Sequence, residues 1–211
     1  MATQQTPEYP VRFSVDYPDR QLNRLTSFFR IVTVIPIAVI VGLVAGASGG
    51  WEEENWQIGV TVGGVLFLAP LLMILFRQKY PRWWFDWNLA LTKFSSRVAA
   101  YLFLLRDEYP STDEEQAVHI SIPYPDVSKD LNRWMPLVKW FLAIPHYILL
   151  AFLWMLLLVV VMVAWFAILF TGNYPQDMFR YVVGVMRWTL RVGCYAFMLT
   201  TDSYPPFRLD P

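Results

Sequence analysis

One cysteine, Cys194, in 211 residues rules out an internal disulfide and leaves no thiol pair at metal-site spacing. Only two histidines occur, His119 and His146, and no Glu, Asp or Cys stands at ligand spacing from His146. No metal, no cofactor and no catalytic constellation is therefore expected, and the chain reads as a non-enzyme. Seventeen Lys and Arg balance 17 Asp and Glu, so there is no bulk attraction for nucleic acid. The first thirty residues are polar and lack an apolar core, which argues against a signal peptide and leaves the first hydrophobic segment as an anchor. Gly63-Gly64 is not a phosphate loop, which needs a strand before it and a helix after, and instead suits close helix contact.

The most telling scarcity is regional. Between Ile31 and Phe76 the only charges are Glu52, Glu53 and Glu54, and from Trp140 to Phe170 there are none. Hydrophobic residues make up 56% of the chain, aromatics 17%, and mean hydropathy is +0.37. Runs of this length and apolarity are those of a membrane protein.

The chain is also written twice. Val11-Arg12-Phe13-Ser14-Val15-Asp16-Tyr17-Pro18 returns as Val118-His119-Ile120-Ser121-Ile122-Pro123-Tyr124-Pro125. Leu22-Asn23-Arg24 returns as Leu131-Asn132-Arg133, and Ile35-Pro36 as Ile144-Pro145. Ile74-Leu75-Phe76 with Tyr80-Pro81 returns as Ile168-Leu169-Phe170 with Tyr174-Pro175, and Tyr109-Pro110 as Tyr204-Pro205. We read a tandem duplication about a pseudo-two-fold axis. The divisions are an arm at 1–10, repeat 1 at 11–110, a linker at 111–117, repeat 2 at 118–207 and a tail at 208–211.

Each repeat opens with strand alternation, Val11, Phe13 and Val15 in one copy and Val118, Ile120 and Ile122 in the other. Two short strands related by a two-fold axis normal to their sheet pair antiparallel, and one alone is not stable. In repeat 1 the segments from Leu22 to Ala47 and 57–76 predict a membrane hairpin. Arg12, Arg20, Arg24 and Arg30 precede it, Arg77, Lys79 and Arg82 follow it, and the acidic loop between has no cation. The positive-inside rule puts both feet and the N-terminus in the cytoplasm. Repeat 2 is harder. Its uncharged run of 31 residues makes roughly 46 Å of helix, against a hydrocarbon core of ~30 Å. A shallow hairpin bending near Trp154 agrees better with the arginines beyond Phe170, and a single tilted helix is the alternative.

The segments after each Tyr-Pro carry three charges at matched positions: Asp86, Lys93 and Arg97 in one copy, Arg180, Arg187 and Arg191 in the other. Spacings of seven and four return to one helix face, predicting an apolar helix with a narrow charged stripe, laid in the membrane interface. Lys93, Arg97, Arg187 and Arg191 are candidate seats for lipid headgroups. Trp51, Trp56, Trp83, Trp84 and Trp188 are candidate interfacial anchors. Pro36 and Pro145 recur at equivalent positions and predict a kink, or the point where an interfacial portion turns into the bilayer. Glu52–Glu54 read as a solvated turn, His146 as a packed, hydrogen-bonded histidine and Cys194 as a small apolar residue.

Ile144-Pro145-His146, the run Trp165-Phe166-Ala167-Ile168-Leu169-Phe170-Thr171-Gly172-Asn173-Tyr174-Pro175, Val185-Met186-Arg187-Trp188 and Tyr204-Pro205-Pro206-Phe207 resemble the bacterial membrane family named domain of unknown function 4389. The second repeat resembles it closely over 118–207. The first departs, with Phe76-Arg77-Gln78-Lys79-Tyr80-Pro81 at the corresponding run and an inserted loop, but still reads as a second tandem copy. The resemblance implies a protein of the bacterial inner membrane and carries no catalytic residues; the hydrophobic segments make it multi-pass.

The expected fold is thus an all-α integral membrane protein built as a tandem duplicated repeat. Each repeat has a short cytoplasmic β-strand, a membrane helical hairpin and an amphipathic interfacial helix. The expected role is a non-catalytic accessory or scaffold subunit of a larger membrane complex, with membrane lipids, anionic ones included, and other integral membrane proteins as partners. The alternative is lipid handling or small-solute transport along a path at the repeat interface.

Overall fold

A computed structural model describes residues 9–45, 70–112, 114 and 116–211. It is mostly helical, with one small sheet. In order come β1 (Arg12–Val15), α1 (Arg24–Phe28), α2 (Arg30–Ala45), a π-helical turn (Met73–Arg77) and α3 (Arg82–Leu102). Then follow β2 (Val118–Ser121), α4 (Val127–Asp130), α5 (Met135–Leu142), α6 (Ile144–Thr171) and α7 (Gln176–Ala196).

β1 and β2 pair antiparallel, as the alternation and repeat predict, with Arg12 opposite Ser121, Phe13 opposite Ile120, Ser14 opposite His119 and Val15 opposite Val118. Phe13 and Ile120, the third residues of the similar runs Val11–Pro18 and Val118–Pro125, stand opposite one another in this register. Similar reciprocity recurs beyond the sheet. The Tyr17 hydroxyl donates to the Tyr174 carbonyl, and the Tyr124 hydroxyl to that of Tyr80. Tyr17 meets Phe179 edge-on at 5.0 Å, and Tyr124 meets Phe85 edge-on at 5.2 Å.

Local chemistry sets the boundaries. The Asn23 side chain accepts from the amides of Leu25 and Thr26, capping α1, and Asn132 accepts from Trp134 at the corresponding turn. α3 and α7 each follow a proline whose fixed φ, −66° at Pro81 and −62° at Pro175, sets an extended cap. α6 ends at Gly172, φ 77°, whose amide donates to Ile168 at 2.8 Å in a left-handed cap.

Three sequence expectations are corrected. α6 is one continuous helix, not a hairpin bent near Trp154: between Pro145 and Gly172 there is no proline or glycine to break the ladder. Pro145 is not a kink. It occupies the first turn of α6, after a break at Ala143, where its missing N–H has no partner to lose. Pro36 does lie inside α2. Finally, α7 is not an interfacial helix with one face in water; it is packed on several sides and is among the most buried elements.

α7 lies antiparallel along α6, and the two share a core with β1. Leu157, Ala164 and Ile168 of α6 meet Phe179, Val182 and Val183 of α7, with Phe13 and Val15 in the same cluster. Farther along, Leu150 packs with Trp188, Val192 and Tyr195. The other sides of α6 are uncovered: Phe152, Met155, Leu158, Met162 and Phe170 are all exposed. Among the described residues α6 is the helix long and apolar enough to cross a membrane, with mean hydropathy 2.9 in its most apolar window and 17% of that window buried. α2 packs on α3 through Val34, Ile37, Phe94, Val98 and Tyr101.

Candidate functional site

The charges that matter sit at matched places inside the body. At the start of α2, Arg30 is 2% exposed; it pairs with Asp107, donates to the Arg106 carbonyl at 2.7 Å and lies 4.0 Å from the centre of the Tyr101 ring. The corresponding Lys139, in α5, is fully buried. It pairs with Asp202 at 2.6 Å, donates to the Thr201 carbonyl at 2.7 Å and stands 5.3 Å from the Tyr195 ring. Asp107 and Asp202 each also accept from a backbone amide, of Asn23 and Asn132. Each clamp thus ties the entry of one helical arm to the segment that leaves α3 or α7. Burial pulls Lys139 below the ordinary lysine value, and its bond and attraction to Asp202 oppose that shift.

Two leucines mark the same exits. Leu104 and Leu199 take left-handed φ angles of 64° and 56°. A non-glycine residue pays about 1–2 kcal/mol for that conformation, so the surrounding contacts over-determine both turns.

The four proposed headgroup cations are not presented together to the outside. Lys93 is half-buried, whereas Arg97, Arg187 and Arg191 are buried and spent on the chain's own carbonyls. Arg97 donates to Ser111 at 2.9 Å, and its counterpart Arg191 to Asp210 at 3.0 Å. Arg187 donates to Phe13 at 2.9 Å and to Leu209 at 2.7 Å, joining the sheet to the tail. Burial lowers the pKa of both Arg187 and Arg191; Asp210 opposes this at Arg187, while Arg187 and Arg208 add to it at Arg191. Sequence periodicity gives the face but not the direction it points, and here the polar stripe turns inward because β1 and the tail cover it. A cavity of about 190 Å³ remains where Arg12, Arg187 and Arg191 meet Tyr9, Ser14 and Pro211.

The anchors divide as well. Trp83 is exposed, but Trp84 and Trp188 are buried, so those two are not interfacial. Trp51 and Trp56 lie outside the described residues, as do Glu52–Glu54 and Gly63-Gly64. Trp188 donates its indole N–H to His146 Nδ1 at 3.0 Å, which fixes the ring proton on Nε2. His146 stacks on Phe207 at 4.1 Å and is fully buried, the packed histidine expected. Among the described residues no group of three His, Cys, Asp or Glu side chains stands close enough to hold a metal ion.

Sequence reasoning missed the clamps, although their signal was present: Arg30 and Lys139 are matched cations at matched boundaries of apolar runs, and Asp107 and Asp202 are matched carboxylates.

Two measurements follow. Cys194 is buried and its thiol is pushed up to about 12 by burial, so it should resist maleimide at neutral pH and react stoichiometrically after denaturation. A Cβ built at Gly184 would lie 2.8 Å from Leu209 Cβ and 3.1 Å from its carbonyl oxygen. Gly184→Ala should displace the tail from Arg187 and lower stability by about 1–3 kcal/mol, the usual cost of overpacking, read as a lower thermal midpoint in detergent.

No curated protein and no solved structure matches the chain. The family resemblance holds over one stretch and not as two tandem copies: the first half, with its Arg77-Gln78-Lys79 and longer apolar segment, is not matched. Residues 133–208, from the cap of α5 to the tail, match the model of the family described as Domain of unknown function (DUF4389).

Proposed function

We propose that this chain is a non-catalytic, membrane-embedded accessory or scaffold subunit of a larger membrane complex. We place it in the bacterial inner membrane as a multi-pass protein with its N-terminus on the cytoplasmic side. The observation that carries the reading is the uncovered apolar surface of α6, continued by Trp140, Phe141 and Leu142 of α5. An aqueous monomer rarely exposes so much contiguous apolar area, and its usual occupants are lipid and neighbouring protein. The inward use of Arg30, Lys139, Arg97 and Arg191 supports a body held together as a scaffold rather than opened around a reacting group.

We also read the chain as a tandem duplication. Supporting this are the sheet register centred on Phe13 and Ile120, the reciprocal tyrosine bonds and the paired clamps. Divergence of the first copy accounts for a family match over the second alone.

Native purification of a tagged chain in mild detergent, with mass spectrometry of proteins and lipids, tests the role. A stoichiometric protein partner is expected; a monomer without a partner in gentle extracts overturns it. One observation favours lipid handling instead: the small cavity at Arg12, Arg187 and Arg191, whose chemistry suits a phosphate. Anionic lipid without protein in the same preparation would select that reading.

A further inference from the structure

We propose that α6 does not cross the bilayer but lies along the surface of one leaflet, its uncovered apolar side sunk into a monolayer containing anionic lipid. This rests on the membrane reading above. As an isolated segment α6 is apolar enough to cross; its neighbours decide otherwise.

Both ends of α6 are tied to the same polar body. Near its start, Trp188 holds His146 at 3.0 Å and the Tyr204 hydroxyl donates to Leu142 just before it at 3.0 Å. Near its end, the Trp165 indole donates to Ser27 at 3.0 Å and the Leu22 amide to Gly172 at 2.8 Å. α7 runs beside α6 between these ties, with Tyr181 donating to Leu153 at 2.9 Å and Trp154 to Thr189 at 3.1 Å. β1 and its extension lie alongside α7 in turn, from Phe13 against Arg187 to Tyr17 against Phe179. The sheet therefore runs beside α7 from its middle, where Phe13 meets Arg187, toward its start, where Tyr17 meets Phe179, and carries the exposed residues Arg12, Ser14 and His119 along that stretch.

An upright α6 would carry all of this into hydrocarbon. Among the described residues the sheet has two strands, so the outer side of each has no neighbouring strand, and unpaired backbone groups do not occur facing lipid. Each exposed charge at mid-depth adds a further penalty. Length agrees: 28 residues make about 42 Å of helix, longer than the ~30 Å core. Laid flat, the helix satisfies everything at once. Its covered stripe, His146, Leu150, Leu157, Ala164 and Ile168, faces α7, and the amphipathicity belongs to the α6–α7 layer rather than to α6.

The rim matches an anionic monolayer. Arg24 and Arg133, corresponding positions in the two halves, are exposed beside the exposed apolar residues Leu25 and Phe28 in one case and Trp134 and Leu137 in the other. Cations around an uncharged face suit headgroups around acyl chains. A flat helix also keeps the arginines of α7 on the side of those before α5, which the positive-inside rule requires.

The test uses the full chain in vesicles of phosphatidylethanolamine and phosphatidylglycerol. Phe152→Cys, Val159→Cys and Phe166→Cys place nitroxides at exposed positions seven residues apart, where no core packing is lost; buried Cys194 stays unlabelled. Depth is read from collision with oxygen against a water-soluble nickel chelate. Lys129→Cys and Asp177→Cys, both exposed, are probed with an impermeant maleimide from each side. The proposal expects one common depth of about 5–10 Å for the three labels and modification of both cysteines from the same side. Opposite sidedness, with the label at 159 deepest, overturns it and leaves the membrane reading intact. Three labels as water-accessible with vesicles as without overturn both.

Discussion

Asp202→Ala should unfold the chain at markedly lower temperature than any surface change. Lys139 is fully buried, and without Asp202 its ammonium keeps, among the described residues, the Thr201 carbonyl and the face of Tyr195. Stranding one partner of a buried pair costs about 3–5 kcal/mol, because the remaining charge is left uncompensated. Asp107→Ala should do the same to Arg30. Thermal melts in detergent micelles check both. The double variant Lys139→Met, Asp202→Ala should recover most of the loss, since it removes the stranded charge as well. The pH response gives an independent reading. Burial lowers the Lys139 pKa and Asp202 opposes that. A base whose folded pKa is depressed penalises folding below that pKa, and the penalty fades as pH rises toward the unfolded value. Asp202→Ala should therefore regain stability on raising pH, while Lys139→Met, Asp202→Ala, lacking the base, should not.

Leu157→Ala and Ile168→Ala should each cost about 2–5 kcal/mol, whereas Met162→Ala on the same helix should cost under about 0.5 kcal/mol. All three are apolar residues of α6, but Leu157 and Ile168 are fully buried against α7 while Met162 is exposed. Truncation at the first two leaves a cavity in a packed layer. Truncation at the third exchanges one contact with detergent or lipid for another. Equal losses at all three sites would mean that the uncovered face packs against protein under the conditions of the melt, and cross-linking in the same micelles would identify it.

The strand pair is legible because alternation marks both strands, and two short strands are stable only when they pair. The helix at 144–171 was visible as an uncharged run, but its continuity was misjudged. The excess of its length over the hydrocarbon core favours a bend or a tilt without choosing between them, and nothing local between Pro145 and Gly172 bends the chain, so the unbroken alternative is the one observed. The charged stripes were legible as faces and not as directions. Which way Arg187 and Arg191 point depends on β1 and the tail, segments far away in sequence. Trp84 and Trp188 were misread for the same reason: an indole at a helix surface is an anchor or a core residue according to what lies over it.

The register of the sheet also sets a clock. Val15 finds its partner only in Val118, so at synthesis rates of about 5–20 residues per second β1 waits roughly 5–20 s, an unpaired edge on a growing chain. The wait for Tyr17 is longer still, since its hydroxyl is received by Tyr174. The first half cannot finish folding when it leaves the ribosome; its completion is postponed until the second half has been made. A nascent chain halted in between would display an unsatisfied strand and a stranded tyrosine, features that quality-control proteases recognise. Completion of the first half therefore waits on synthesis past Tyr174, and termination before that point should yield rapid degradation in place of a stable amino-terminal fragment.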